Sequence, residues 1–465
     1  GSRSDEILAV SETSDGGYIV GGFSYSSGIQ VGKDILTNSG GMVIKYNSIG
    51  EVEWARSIGK STESRIETVV EMKDGGYIVG GHFKGYEIQN SEYTLENNGV
   101  YYEADAILIK YSHTGEVEWA KNIGGDKSEY IKAITATSDG GFVLGGYFNS
   151  EKIELGEYTL RNSNFLRRSN DGMLIKYSNE GEIEWAKNIG GSEDVTISSV
   201  DETKDEGILV GGNSDSSSLQ IEGYTLTNAG GIVIKYNNAG EIEWARSIEG
   251  NNEEAINAVK ETKDGGYIVG GRFERLIQLG KYTLTSNGET DSMIIKYNSL
   301  GEVEWAKSVG GNDYDYIYAI SEINNGQIVV GGTFQSNEIN TGRFNLKNQG
   351  GYDAMLLKLQ LYAGVPEVQE LTVENERKQF KITTDVKEVD GIKGGNISGE
   401  DSNPYETVKY GDSSTKEIVM TPDENYEIIG ITINGQEWKF EENTDGTYSM
   451  PQFTNMTEDK HIEVT

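Results

Sequence analysis

One short string recurs through most of the chain and restricts its fold more than any other feature. GGYIVGG at Gly16–Gly22 returns as GGYIVGG at Gly75–Gly81 and GGFVLGG at Gly140–Gly146, then as EGILVGG at Glu206–Gly212, GGYIVGG at Gly265–Gly271 and NGQIVVGG at Asn325–Gly332. The closing glycine pairs are 59, 65, 66, 59 and 61 residues apart. A second marker, GE[VI]EWA, carries Trp54, Trp119, Trp185, Trp244 and Trp305; a third, [IL]KY, carries Lys45, Lys110, Lys176, Lys235 and Lys296, with a weaker copy around Lys358. Self-similarity at such a period marks a repeat architecture.

One unit reads as four strands. In the third, these are Ile131–Thr137, Phe142–Tyr147, Met173–Tyr177 and Glu182–Ile189. Ser138-Asp139-Gly140-Gly141 and Ser178-Asn179-Glu180-Gly181 join them in pairs, supplying the positive φ that tight hairpins need. The longer link from second to third strand carries its own motif, Ile277–Thr285 (IQLGKYTLT), which predicts a small added hairpin. Helical solenoids need apolar stripes of period 3.6, and none is present. The chain therefore predicts an all-β fold: a six-bladed β-propeller over residues 1–364, seven blades being the alternative, with the GGYIVGG strands second from the axis. The recurrent Trp is expected to pack between neighbouring blades. Closure is the weak point, because the sixth unit lacks the EWA strand. An upstream strand, Leu359–Ala363 or the linker after it would have to complete the blade.

Composition agrees with many short strands joined by tight turns: 61 glycines and 4 prolines. Net charge is −35, shared between both halves of the chain, so nucleic acid and anionic membrane surfaces are repelled. No cysteine is present, which excludes disulfides, thiolate catalysis and cysteine-based zinc sites. No apolar run is long enough to insert in a membrane.

The string GG-x-[DM]-[AMI]-x-[IL]-K-Y-x-x-x-G-E-[VI]-E-W-A-K-x-[IV]-G-G, with the YTLT insert before it and Asn312-Asp313-Tyr314-Asp315-Tyr316 after it, resembles the bacterial beta-propeller repeat family of exported proteins. The resemblance covers roughly residues 5–360. It implies export or surface display, and it implies no reaction.

After Lys358 the repeat stops, and Gly364-Val365-Pro366 reads as a hinge. Residues 365–465 predict a small all-β domain with strands near Gln379–Thr384, Glu417–Met420, Tyr426–Ile433 and His461–Thr465, and turns at Asn434-Gly435 and Asp445-Gly446. The segments Thr421–Gly430 (TPDENYEIIG) and Phe453–Thr465 resemble the divergent internalin-type B-repeat of bacterial surface proteins. That resemblance implies a spacer in a Gram-positive-type, wall-anchored, extracellular protein.

Few residues invite catalysis. His82, His113 and His461 fall in unrelated places and predict no dyad, triad or metal set. Among 75 acidic residues no motif selects a glycosidase pair. The blade geometry does select a face. Hairpins one–two and three–four are short and uniform. The two–three and blade-to-blade connections lie opposite and carry the length changes, and variable loops on a rigid scaffold carry function. Blades two and three are longest there. Tyr101, Tyr102, Phe165, Arg167 and Arg168 are the candidate ligand-binding residues, able to meet in one composite patch or to fold back on their own blades. Carboxylates also precede each inner strand. Glu129, Glu254, Asp313 and Asp315 are candidates for Ca²⁺, the alternative being a solvated acidic rim. The reading is a monomeric, non-enzymatic adhesin or binding module that needs no cofactor and recognises a glycan or protein on a host or neighbouring cell. A structural display module and a polysaccharide-active enzyme are its alternatives.

Overall fold

The computed structural model describes residues 4–360 apart from 27, 37–38, 60–62, 90–91, 228, 251–253, 324–326 and 341–344. Beyond 360 it describes chiefly the strands given below. The chain divides into two compact units, Gly1–Thr372 and Val373–Thr465.

The first unit is an all-β, propeller-like array of six four-stranded antiparallel sheets, numbered one to six along the chain. Sheet three is typical: Glu129–Ala136, Phe142–Phe148, Asp171–Tyr177 and Ile183–Ile189, paired in that order. The first strand of every sheet carries a bulge at the same place, between Ile7 and Ala9 in sheet one and between Ile317 and Ala319 in sheet six. Between its second and third strands each sheet adds a two-stranded hairpin, such as Leu276–Leu279 with Tyr282–Thr285, as the inserted motif predicts. Sheet six takes its fourth strand from the linker: Glu367–Val368 pairs with Leu359 and Gln360. The first unit therefore runs to Thr372, beyond the hinge expected at Gly364–Pro366.

The recurrent motifs meet at the short hairpins. In sheet one the turn closes through Thr13 N–H to Gly17 O, with Gly16 at φ 79°. One oxygen of Asp15 accepts Gly17 N–H and the Thr13 hydroxyl, and its other oxygen takes Lys45 Nζ at 2.8 Å. Glu53, beside Trp54, takes the same ammonium at 2.9 Å. The arrangement returns as Lys110 with Asp74 and Glu118, Lys176 with Asp139 and Glu184, Lys235 with Asp205 and Glu243, and Lys296 with Asp264 and Glu304. Each lysine is buried while its carboxylates stay partly in water. A buried ammonium is tolerable only when paired, so the Asp-Gly-Gly, Ile-Lys-Tyr and Glu-Trp motifs are three parts of one ion-paired brace. Burial pulls the Lys45 ammonium down, but bonds to Asp15 and Glu53 outweigh it, and the net shift is upward.

The same motifs join sheet to sheet. Trp54 packs on Tyr77 and Tyr111 of sheet two, Trp119 on Phe142 of sheet three, and Trp244 on Tyr267 and Tyr297 of sheet five. The hairpin glycine of the next sheet lies under the indole: a Cβ at Gly115 would come within 2.6 Å of Trp54, and one at Gly301 within 2.6 Å of Trp244. Nearer the first strands, the earlier sheet of each seam has a glycine that receives two apolar knobs from the next. Gly21 receives Ile66 and Val69, and Gly211 receives Ile256 and Val259. The Trp residues thus serve packing between sheets, as expected.

The second unit holds a five-stranded sheet in the order Glu406–Lys409, Gln379–Val386, Lys460–Val464, Ile431–Ile433, Gln436–Glu437, with one parallel pair between Gln379–Val386 and Lys460–Val464. A three-stranded sheet of Gly395–Ile397, Ile418–Pro422 and Tyr448–Met450 accompanies it. Ile382, Ile418, Met420, Ile431 and Ile462 are buried in its core. Asn434 takes a positive φ of 53° at the predicted turn, while the Asp445-Gly446 turn lies outside the described residues.

Candidate functional site: the variable-loop face

The long connections are held by a second set of acids. Asp105, at the start of a third strand, accepts Asn98 N–H and Asn122 Nδ2 on one oxygen. Asp171 holds Ser163 N–H and Asn188 Nδ2 in the same way, and Asp291 holds Asn287 N–H. Glu129, the first residue of a first strand, accepts Gly125 N–H at 3.0 Å, and Asp315, in the same place in sheet six, accepts Gly311 N–H at 2.8 Å and the Ser336 hydroxyl at 2.7 Å. These side chains are fully buried. Burial raises the Asp105 carboxyl to about 6 and the Glu129 carboxyl to about 8, against the pull of the hydrogen bonds they accept. Asp171, Asp291 and Asp315 are shifted upward for the same reason. Three of the four carboxylates offered for Ca²⁺, with a solvated rim as the alternative, are therefore withdrawn from solvent. Glu129, Glu254 and Asp315 are buried, Glu254 filling the space a Cβ would need at Gly230 and Gly250. Asp313 is half-buried and accepts the N–H of Tyr314. Among the described residues no group of three potential metal-ligating His, Asp or Glu side chains converges.

Tyr101 and Tyr102 stand at the end of the sheet-two connection, just before the third strand Ala104–Tyr111. They are 50% and 81% exposed. Their rings meet edge to face at 5.1 Å, and Tyr101 also meets Tyr86, 74% exposed, at 5.2 Å. Sequence reasoning missed Tyr86, which lies 15 residues earlier. The added hairpin Glu87–Gln89 with Thr94–Glu96 folds the connection back, and Gly85 N–H to Tyr101 O ties its ends. Only the pairing of the YTL-type insert with its preceding strand could have signalled this.

Phe165, Arg167 and Arg168 lie in and just after a single 3₁₀ turn, Phe165–Arg167, with Arg168 left-handed at φ 60°. Phe165 is half-buried, and the two arginines and Leu166 are exposed. Arg167 turns to Glu193 at 2.9 Å, at the edge of sheet four, beside a cavity of about 480 Å³ lined by Ser163, Asn164, Ser192 and Asp215. Short steps link the two inserts: Glu103 to the Ser128 hydroxyl, Asn149 N–H to Ser128 O, and Asn149 Nδ2 to Arg168 O. The two inserts share one rim. No ring or cation–π contact joins the tyrosines to Phe165, Arg167 or Arg168 among the described residues, so the five side chains form two neighbouring groups rather than one cluster.

A further aromatic group, also missed, lies on sheet six and its neighbour. Tyr316 meets Tyr314, Tyr318 and Tyr352, and the Arg272 guanidinium sits 5.6 Å from its ring centre. Each histidine is occupied within its own unit. His82 is buried edge-on to Tyr130, and burial lowers it to about 3; the carbonyl of His113 accepts Trp54 Nε1; His461 meets Thr383 in the second unit.

No family model matches the chain. Its similarities run to WD-repeat proteins. An uncharacterized WD repeat-containing protein, L264 of Acanthamoeba polyphaga mimivirus, is 23% identical over 388 residues, 68% of this chain and 28% of that one. Regulatory protein FlaEY of Caulobacter vibrioides is 26% identical over 156 residues, 33% of this chain and 16% of that one. The chain thus spans under a third of the length of these relatives. Among solved structures, a protein of unknown function from Dyadobacter fermentans has a TM-score of 0.43 at 9% identity, covering 78% of this chain and 95% of that one. The WD40 domain of Neurospora crassa Pan2 has a TM-score of 0.37 at 11% identity, covering 70% and 75%.

Proposed function

We propose that this chain is a non-enzymatic binding module of an exported, surface-displayed protein, and that its variable-loop face recognises a glycan or protein on a host or neighbouring cell. The exposed Tyr86–Tyr101–Tyr102 group carries this reading. Exposed aromatic rings held by a backbone-tied loop offer large contact area at little ordering cost. Arg167 and Arg168 on the same rim add hydrogen-bonding capacity in an otherwise acidic protein. The recurrent motifs are taken up by the fold, which leaves the length-variable inserts as the surfaces free to differ. The resemblances to the bacterial beta-propeller repeat and to the internalin-type B-repeat support wall-anchored display.

Probing arrays of mucins, matrix proteins and glycans tests this. A hit should fall at least about tenfold for Tyr101→Ala/Tyr102→Ala, equivalent to about 1.4 kcal/mol. A display module that binds nothing itself gives no hit. Ca²⁺ near Glu129, Glu254, Asp313 or Asp315 is the alternative basis for binding. It requires binding to be lost on chelation, whereas the aromatic reading requires that chelation leave binding unchanged.

A further inference from the structure

Five seams join the six sheets, and each repeats the same fit. The glycine of the earlier sheet receives two knobs from the later one: Gly21 takes Ile66 and Val69, Gly80 takes Ile131 and Ile134, Gly145 takes Ile197 and Val200, and so on to Gly270 with Ile317 and Ile320. In four of the five seams the hairpin of the earlier sheet also donates to a glutamate at or next to the end of the later sheet's first strand: Ser14 N–H to Glu71, Ser138 N–H to Glu202, Lys204 N–H to Glu261 and Lys263 N–H to Glu322; sheet three has Ala136 there. In the first, second and fourth seams the Trp of the earlier sheet covers an aromatic residue and the hairpin glycine of the later one, and in the third Trp185 lies at the glycine, Gly240.

Sheet one has the later sheet's half of these features, and all stand open. Its knobs, Ile7 and Val10, are 52% and 66% exposed, where Ile66 and Val69 are buried. Tyr18, which corresponds to Tyr77 and Tyr267, is 45% exposed. Nothing lies within 4 Å of a Cβ at Gly50, the position where the other hairpin glycines meet a Trp. No hydrogen bond reaches the Glu12 carboxylate, the counterpart of Glu71, among the described residues. Sheet six is open in the complementary way: a Cβ at Gly331 would meet only Leu356 of its own sheet, at 3.9 Å.

We propose that the faces of sheets one and six receive a further repeat of this same type in the same polypeptide, placed between them. Such a repeat supplies a glycine for Ile7 and Val10, hairpin N–H groups for Glu12 and a Trp for Tyr18 and Gly50, and its own knobs fill the hollow at Gly331. Direct closure of sheet six onto sheet one would meet only part of this demand. The fourth strand of sheet six is Glu367–Val368 and brings no Trp. The continuity of five existing seams, rather than apolar exposure alone, identifies the occupant.

The chain has no cysteine, so single thiols report cleanly. Ile7→Cys in the full chain should react with a maleimide at least about 100-fold faster than Ile66→Cys, whose position is sealed. Placing a copy of residues 251–310 directly before Gly1 reproduces the spacing that leads into Ile317. In that extended chain Ile7→Cys should become as protected as Ile66→Cys. The protection should weaken when Trp305→Ala is made in the added copy alone. Equal reactivity with and without the added repeat overturns the proposal. A second measurement covers an extension that fails to fold. A Cβ at Gly21 lies 3.3 Å from Ile66 Cβ, so the Gly21→Cys/Ile66→Cys pair should oxidise readily. Gly331→Cys/Ile7→Cys, the matching pair across the open faces, should stay reduced. An internal disulfide there would show that sheet six itself is the occupant, and disulfide-linked oligomers would show that a second copy is; either result overturns the proposal.

Discussion

The two loop faces of the first unit treat their carboxylates in opposite ways. On the short-hairpin face, Asp139 and its counterparts pair with buried lysines. Burial works against the charged form of Asp139, but the bonds from Lys176, Thr137 and Gly141 outweigh it and lower the carboxyl to about 2. On the variable-loop face, Glu129 and Asp105 are buried with no cation paired to them among the described residues, accept backbone and amide N–H groups, and are raised instead. The first face closes on itself with ion pairs and repeats almost unchanged. The second uses hydrogen bonds to hold inserts of differing length, and it leaves Tyr86, Tyr101, Tyr102 and Arg168 outside the packing. A scaffold built this way keeps its invariant chemistry for the fold and its exposed chemistry for recognition.

The largest effect should come from stripping one brace of charge. Asp205→Asn/Glu243→Gln leaves Lys235 wholly buried without a counter-ion and should cost about 3 kcal/mol in chemical denaturation. Little change would mean that the brace is incidental, and the contrast between the faces would fail. Next in size is the pH response. A lowered carboxyl such as Asp139 contributes stability above the usual carboxylate range and loses it as pH falls towards 2. The Glu129 carboxyl, raised from 4.5 to about 8, contributes stability at low pH that is lost as pH rises through that interval. Stability should therefore decline on both sides, and Glu129→Gln should flatten the decline between about pH 5 and pH 8 without moving the acid limb. A smaller effect is expected at Glu206, which holds φ 62° where the other turns place glycine. Glu206→Gly should stabilise by about 0.5–1 kcal/mol, a gain reduced by loss of its bond from Asn238. The smallest change belongs to Tyr101→Ala/Tyr102→Ala, within about 0.5 kcal/mol of the parent because both rings face solvent.

The repeat made the sheets legible. Strands, short hairpins, added hairpins and the place of Trp between sheets all follow from local patterns that recur several times. Completion of the sixth sheet was legible only as one of three options, the linker after Ala363, because Glu367–Val368 carries no EWA signal. The lysine brace was visible only as three separate motifs. Asp15, Lys45 and Glu53 are brought together by strand pairing, which spacing along the chain does not display. The acids before the inner strands were read as a rim because a sequence does not show which way a loop folds, and Glu129 turns inward to Gly125 N–H. Tyr101 and Tyr102 were legible as insert residues. Their partner Tyr86 was hidden by the intervening hairpin.

The recognition claim is tested most directly by a parallel binding measurement. Wild type, Tyr101→Ala/Tyr102→Ala and a short-hairpin variant, Ser48→Ala/Ile49→Ala, would be titrated against one mucin or matrix-protein surface that captures the wild type. Ile49 is exposed on the opposite hairpin face, at 77%, and matches the tyrosines as a solvent-facing control. The account predicts at least about a tenfold loss for the tyrosine variant and none for the hairpin variant. Retention by the tyrosine variant with loss by the hairpin variant would place recognition on the uniform face and contradict it.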